Sequence, residues 1–444
     1  MRAGAANPKW PILILLGGVV VVFLLNVQHQ AQQGSFVTGH LALAENLAAG
    51  HGYALSPSEP LFSPLWGYAL LTALLLPLGS PATGLWLLQL VLCLTTLAAF
   101  YRLFALSPKG RHLVFLLPFA ALLSVKWPDA PAGCLLFFLW AGLYRYASAG
   151  RRGALLAAGC AAALLANFRS EYLLYPALLA VAAALPSFRA WRRRLLVAAV
   201  VLLLAMLAGL APWSWRAHRH GGPWLLSATN GGGVAYISLG QLPGNPWGIR
   251  PVDDVMWETV RENGLASPYS FAGNALLLKD FREAIAAHPG AFAGKALLNV
   301  GRVAIGGLYV GEYDAWTISE QRRQEIDAIV VREGRLAVLR QARPSEAAAL
   351  AAQFVFNKLY AVLFFGLLVA WIFAGRRMWR GEKRLLVGLT AALLLYKLAL
   401  VGLLQYEPRH LNAVYLPLLG LVMTAPPGWW RRLAPGKDRP PDEE

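Results

Sequence analysis

The sequence predicts an all-α integral membrane protein, a polytopic bundle of about 10–11 transmembrane helices with a helical extracytoplasmic loop region. Three observations predict it. About ten apolar runs are each long enough to cross a bilayer, for which a helix needs about 20 apolar residues. The chain is 57% hydrophobic and only 14% charged, whereas a soluble domain carries about a quarter charged residues. Two water-facing blocks, residues 28–60 and 215–350, interrupt the apolar runs.

The first run, 11–27, follows Lys9 and lacks a small-residue cleavage pattern, so it reads as an uncleaved helix. In block 28–60 the spacing predicts a short amphipathic helix over 37–49. Val37, Leu41, Ala44 and Ala48 share a face, and Gly50 is the stop. The Gly50-His51-Gly52 and Pro57–Pro60 punctuation then forces irregular chain. Runs 61–79, 83–101, 112–125, 131–144, 153–168, 172–186 and 194–214 follow. After block 215–350 come runs 354–374, 384–404 and 409–425.

Charge sets the orientation. The clusters Arg189–Arg194, Arg376–Arg384 and Arg431–Arg439 read as cytoplasmic anchors facing anionic lipid, as do Lys109 with Arg111 and Arg145 with Arg151 and Arg152. Lys126 with Asp129, Arg169-Ser170-Glu171 and Gln405–Arg409 then lie outside. Block 28–60 has no Lys or Arg, so it belongs outside too. If every run crossed, it would fall inside. The repair is that 61–79, with Pro64, Pro77 and Gly79, is a partial helix packed against its neighbours. Both termini are then cytoplasmic, and the two blocks share the outer face.

The organisation is therefore a transmembrane module over 1–214 containing outer loop 28–60, a large outer region over 215–350, C-terminal helices over 351–425 and a basic cytoplasmic tail over 426–444. Within the large region, 215–250 is rich in Gly, Pro and Trp and holds no acid, as expected of a loop fitted closely to something. Residues 270–343 carry two or more helical patterns. In 321–342, Ile326, Ile329, Val330 and Leu336 line one face of a helix expected at the membrane surface or over the site. The net charge of +17 resides mainly in inner turns and does not imply nucleic acid. Cys93, Cys134 and Cys160 lie inside apolar runs, so neither a disulfide framework nor a thiolate metal site is expected.

Several segments share a resemblance. They are Asn46-Leu-Ala-Ala-Gly-His-Gly-Tyr53 followed by Ser63-Pro-Leu-Trp66, Trp127-Pro-Asp-Ala-Pro131, and Asn167-Phe-Arg-Ser-Glu171. Ala211-Pro-Trp-Ser-Trp-Arg216 continuing to Ser227-Ala-Thr-Asn-Gly-Gly232, and Glu407-Pro-Arg-His410, complete the set. In this order they resemble the polytopic GT-C glycosyltransferases, the bacterial relatives of protein O-mannosyltransferases and aminoarabinose transferases. The resemblance implies a bacterial inner-membrane enzyme. Its donor would be a sugar on a polyprenyl phosphate, and its acceptor a lipid, glycan or protein on the extracytoplasmic face. One departure matters. The family places an acid in the first outer loop where this chain has Ser35 and Phe36, with His40 a turn later.

Such a transfer needs cations for the departing phosphate and a base for the acceptor. Asp129, between Pro128 and Pro131, is either the base or a helix N-cap. Glu45 is either a second acid or part of a solvated face. Arg216 and Arg409 each end a span in a family-like motif and are either phosphate ligands or snorkelling interface residues. Arg169 is either a further phosphate ligand or the partner of Glu171. Lys397 lies about two turns inside its span and would reach the phosphate or pair with an acid such as Glu407. His40, with His51 and His410, is an alternative base. No cofactor is expected beyond the lipid-linked sugar substrate, and no divalent metal is required: Asp253-Asp254 is adjacent and solvated, and neither outer block holds His-x-x-x-His or Asp-x-Asp. Gly231-Gly-Gly233 is no phosphate loop but permits close backbone approach to a substrate or membrane edge. Two other readings remain open: a catalytically degenerate lipid-sugar binder, motivated by the absent acid, and a transporter, for which inverted repeats are missing.

Overall fold

The structure, a computed structural model, describes residues 36–56, 59–60, 62–63, 67–78, 81–104, 129–306, 343–379, 383–405 and 414–424, with Glu325, Ile329 and Gln341. The first outer block opens with α1 (Phe36–Ala48). Gly50 ends it at φ 79°. The Gly50 N–H donates to Leu47 and the His51 N–H to Asn46, so the last carbonyls are satisfied by a Schellman closure. Leu43 and Ala44 form the buried side, while Ala48 is exposed. The punctuated stretch that follows is not wholly irregular. β1 (Ala54–Ser56) pairs antiparallel with β2 (Glu59–Pro60), and Asn46 Nδ2 donates to the Ala54 carbonyl.

α2 (Gly67–Leu75) runs into a 3-10 turn at Leu76–Leu78. Nine residues rise about 14 Å, half of a hydrocarbon core of about 30 Å, which suits a partial helix. Cβ on Gly67 would lie 2.5 Å from the Asn167 carbonyl oxygen, so α2 sits directly on the end of α5 (Arg152–Phe168).

α3 (Pro81–Phe104), α4 (Asp129–Ala149), α5, α6 (Tyr175–Ala184) and α7 (Arg192–Arg219) build the N-terminal part of the bundle. Alanine and glycine let α4, α5 and α7 approach closely. A Cβ on Gly142 would stand 2.6 Å from the Ala154 oxygen, and one on Gly209 2.6 Å from the Ala163 oxygen. Where lipid is as apolar as leucine, such small-residue contact is what holds helices together. Phe100, Phe104, Phe137 and Trp140 fill the gap between α3 and α4 with ring contacts of 5.1–6.2 Å. α12 (Pro344–Met378), α13 (Arg384–Leu403) and α14 (Tyr415–Met423) close the bundle, α13 against α4 and α6, α14 against α3 and α12.

Among the described residues, three stretches are long and apolar enough to cross a membrane: Leu87–Phe104, Pro186–Arg219 and Arg384–Leu403. Arg152–Phe168, Ser170–Ala184 and Ala361–Arg376 are apolar but shorter. The cause is local. Arg169 adopts φ −147° and ends α5, and Leu185, forced extended by Pro186, ends α6. Runs 11–27 and 112–125 and residues 409–413 lie outside the described residues, as does most of 321–342.

The large outer region starts later than position 215. α7 continues through Trp215 and Arg216 and stops at Gly221 (φ 77°), whose N–H donates to His218 while that of Gly222 donates to Ala217. Beyond it, α8 (Gly231–Ser238), α9 (Asp253–Glu262) and α10 (Phe271–Ala287) enclose a small core of Ile237, Met256, Val260 and Leu277. The glycine run is the seat of this packing. A Cβ on Gly232 would meet the Asn274 oxygen at 2.4 Å, and one on Gly233 the Met256 sulfur at 2.6 Å. The close approach expected of these glycines is therefore made to the protein's own helices. α11 (Pro289–Gly306) then returns the chain onto α12 and α13.

Candidate functional site

The last turns of α7 place Trp213, Arg216 and His220 along one edge. Arg216 Nη2 donates to the Tyr53 carbonyl at 2.7 Å. Its guanidinium carbon lies 4.5 Å from the Phe62 ring centre, 5.6 Å from that of Tyr53 and 5.8 Å from that of Trp213. Tyr53, Phe62 and Trp213 are buried. A guanidinium among ring faces is stabilised by about 0.5–2 kcal/mol per favourable contact, and its planar fork keeps in-plane donor directions. Burial pushes the Tyr53 phenol above its ordinary range, and the Arg216 charge opposes the shift.

Phe62 joins the pieces. Its ring lies 4.6 Å from Phe271, 5.8 Å from His220 and 6.0 Å from Trp213. Its carbonyl accepts from Thr229 N at 3.0 Å. Thr229 Oγ1 donates to Tyr269 O, and Trp213 Nε1 to Ser227 O. The first outer block and the large outer region thus meet in a continuous seam around Arg216.

Lys397 takes the acid-paired arrangement, and among the described residues its acid is Glu171; Glu407 lies outside them. Its Nζ lies 2.5 Å from Glu171 Oε1 and 4.1 Å from the Tyr172 ring centre, and the ammonium is buried. Tyr396 Oη donates to the Glu171 carbonyl. Tyr396 and Lys397 of α13 meet Glu171 and Tyr172 of the 3-10 turn Ser170–Leu174, so among the described residues Glu171 is the carboxylate within reach. Glu171 thus pairs with Lys397 on a helix distant in sequence. Arg169 itself is half-buried and forms the turn between α5 and the 3-10 segment.

Glu45 is exposed on α1, as a solvated face requires. Asp129 opens α4, but its side chain lies outside the described residues, as do the side chain of His40 and all of Glu407, Arg409 and His410. His51 is exposed between two positive-φ glycines. Among the described residues, no group of three or more His, Cys, Asp or Glu converges as a metal site would require.

A polar stripe escapes the sequence reading. Lys295, Asn299 and Arg302 recur at i, i+4 and i+7 on α11, a helical spacing. Lys295 Nζ donates to Ser238 Oγ at 3.0 Å, to the Leu403 carbonyl at 3.1 Å and to the Leu404 carbonyl. Asn299 Nδ2 donates to Gln241 and Val401, and Arg302 to the Gln241 carbonyl. Lys295 is buried, and burial pushes its ammonium down to about 7. The stripe fixes the outer region to the C-terminal end of α13, where a cation also complements the helix dipole.

No family model, curated protein or solved structure matches this chain.

Proposed function

We propose that the chain is an integral membrane glycosyltransferase that moves a sugar from a polyprenyl-phosphate donor to an acceptor on the extracytoplasmic face. The observation that carries this reading is the seam, where two outer segments close around a guanidinium set among aromatic rings at the end of a long apolar helix. A lipid-tethered phosphate needs such a cation at a helix end, and an aromatic wall suits both the polyprenyl chain and a sugar face. The ordered motifs that resemble GT-C enzymes run through this seam: Tyr53 ends one, Ser63 begins the next, and Arg216 closes a third. In this reading Arg216 and Arg409 hold the donor phosphate, with Asp129 the leading base. Lys397 serves instead to anchor Glu171.

Purified protein in proteoliposomes, given a polyprenyl-phosphate sugar, should consume it. Arg216→Ala and Arg409→Ala should abolish transfer while still inserting. Transfer unchanged in both variants would remove these roles. The absence of an acid at Ser35 and Phe36 favours a second reading, a lipid-sugar binder without catalysis. Retained binding with no turnover by the parent protein would select it.

A further inference from the structure

The outer end of α7 carries side chains that the seam does not use. Trp215, Trp224 and Leu226 are exposed, as are His218 and Arg219. The two indoles lie 5.9 Å apart. His218 stacks on Trp224 at 4.5 Å with rings 15° apart, and the Arg219 guanidinium lies 5.3 Å from the Trp215 ring. They form an open aromatic shelf edged by cationic and imidazole groups.

The other end of the same helix carries Arg192, Arg193 and Arg194, all exposed. Trp215 stands 21 residues beyond Arg194, about 31 Å along the helix. That equals the thickness of a hydrocarbon core, about 30 Å. Between the two ends Val197, Val200, Leu203 and Leu204 face outward. An apolar band of this kind is unfavourable in water and is satisfied by acyl chains.

We infer that the outer head-group layer of the bilayer runs through the shelf, with Trp215 and Trp224 at the chain–head-group boundary and Arg219 on lipid phosphate. An indole has an apolar body and a single N–H donor, which suits it to that boundary. A guanidinium matches phosphate geometry. The occupant is a phospholipid interface because the shelf continues into the apolar band and lies one hydrocarbon thickness from the arginine cluster. Arg216, the next residue after Trp215, then sits at the depth of lipid phosphates. The inference requires α7 to cross the bilayer. It requires no sugar transfer and stands or falls separately from that activity.

The full chain is reconstituted in phosphatidylcholine–phosphatidylglycerol vesicles containing lipids brominated near the head group, at mid-chain or near the bilayer centre. The fluorescence of Trp215→Phe/Trp224→Phe is subtracted from that of the parent. The difference signal should be quenched about twofold more by shallow than by central bromines, as interfacial indoles require. Equal exposure to water, seen as no quenching at any depth, would overturn the inference, and so would strongest quenching from the centre. Should the double variant fail to fold, Leu226→Cys in a Cys160→Ser background provides a second test, since Cys93 and Cys134 are buried. A polarity-sensitive dye there should shift to the blue on reconstitution; emission unchanged from water would equally overturn it.

Discussion

Removing one half of the Glu171–Lys397 pair should destabilise the bundle by an amount that depends on which half goes. The Lys397 side chain is 2% exposed and that of Glu171 is 21% exposed. Glu171→Ala strips the carboxylate from an ammonium that water barely reaches, a change that costs about 3–5 kcal/mol for buried pairs. Lys397→Met keeps most of the volume and leaves a carboxylate that water does reach, so about 1–2 kcal/mol is expected. The double variant removes both charges and should fall well short of the sum, giving a coupling of about 2 kcal/mol. Unfolding of the detergent-solubilised protein by increasing SDS, followed by circular dichroism, measures all four corners of the cycle. Additive losses, or a Lys397→Met loss equal to or above that of Glu171→Ala, would refute the account of this pair.

Two further predictions concern packing and pH. Gly209→Ala drives a Cβ to 2.6 Å from the Ala163 carbonyl oxygen and should destabilise by about 1–3 kcal/mol, as overpacking does. Gly153→Ala, which meets nothing within 4 Å, should leave the same unfolding transition unchanged or raise it. Lys295 has a folded-state pKa lowered from 10.5 to about 7, so between these values the unfolded chain binds the extra proton. Its penalty is fully present below pH 7 and is relieved as pH rises towards 10.5, by about 1.4 kcal/mol per pH unit at most. Melting of the parent should therefore gain stability from pH 7 to 9 relative to Lys295→Met; parallel curves would contradict the burial of that charge.

What could be read from the sequence was what local chemistry decides. Gly50 as the end of a short outer helix follows from φ preference, and the partial helix after Ser63 from prolines and a glycine near its ends. Pairings set by packing were not readable. Lys397 calls for an acid, and no sequence spacing points to Glu171, 226 positions away, which the fold brings beside α13. Tyr53 and Phe62 carry no local sign that they flank a guanidinium. The glycine run at 231–233 announced a close approach but not that its partners are Asn274 and Met256. Lys295, Asn299 and Arg302 have a helical period, but polar residues at that spacing fit a solvated face as well as the buried contacts they make. Helix ends are local too: Arg169 and Pro186 decide where α5 and α6 stop, which the apolar composition around them does not show.

The hydrogen bond from Arg216 to Tyr53 joins positions 163 residues apart, and this separation governs how the molecule is made. A ribosome adding about 5–20 residues per second delivers Tyr53 roughly ten to thirty seconds before Arg216. Throughout that interval the aromatic faces of Tyr53 and Phe62 have emerged while α7 is still unsynthesised. The opening segment must wait, shielded by lipid head groups or a chaperone, until later helices arrive to dock it. Biogenesis of this protein is therefore most vulnerable early, and lesions around Tyr53 should appear first as degradation of nascent chains.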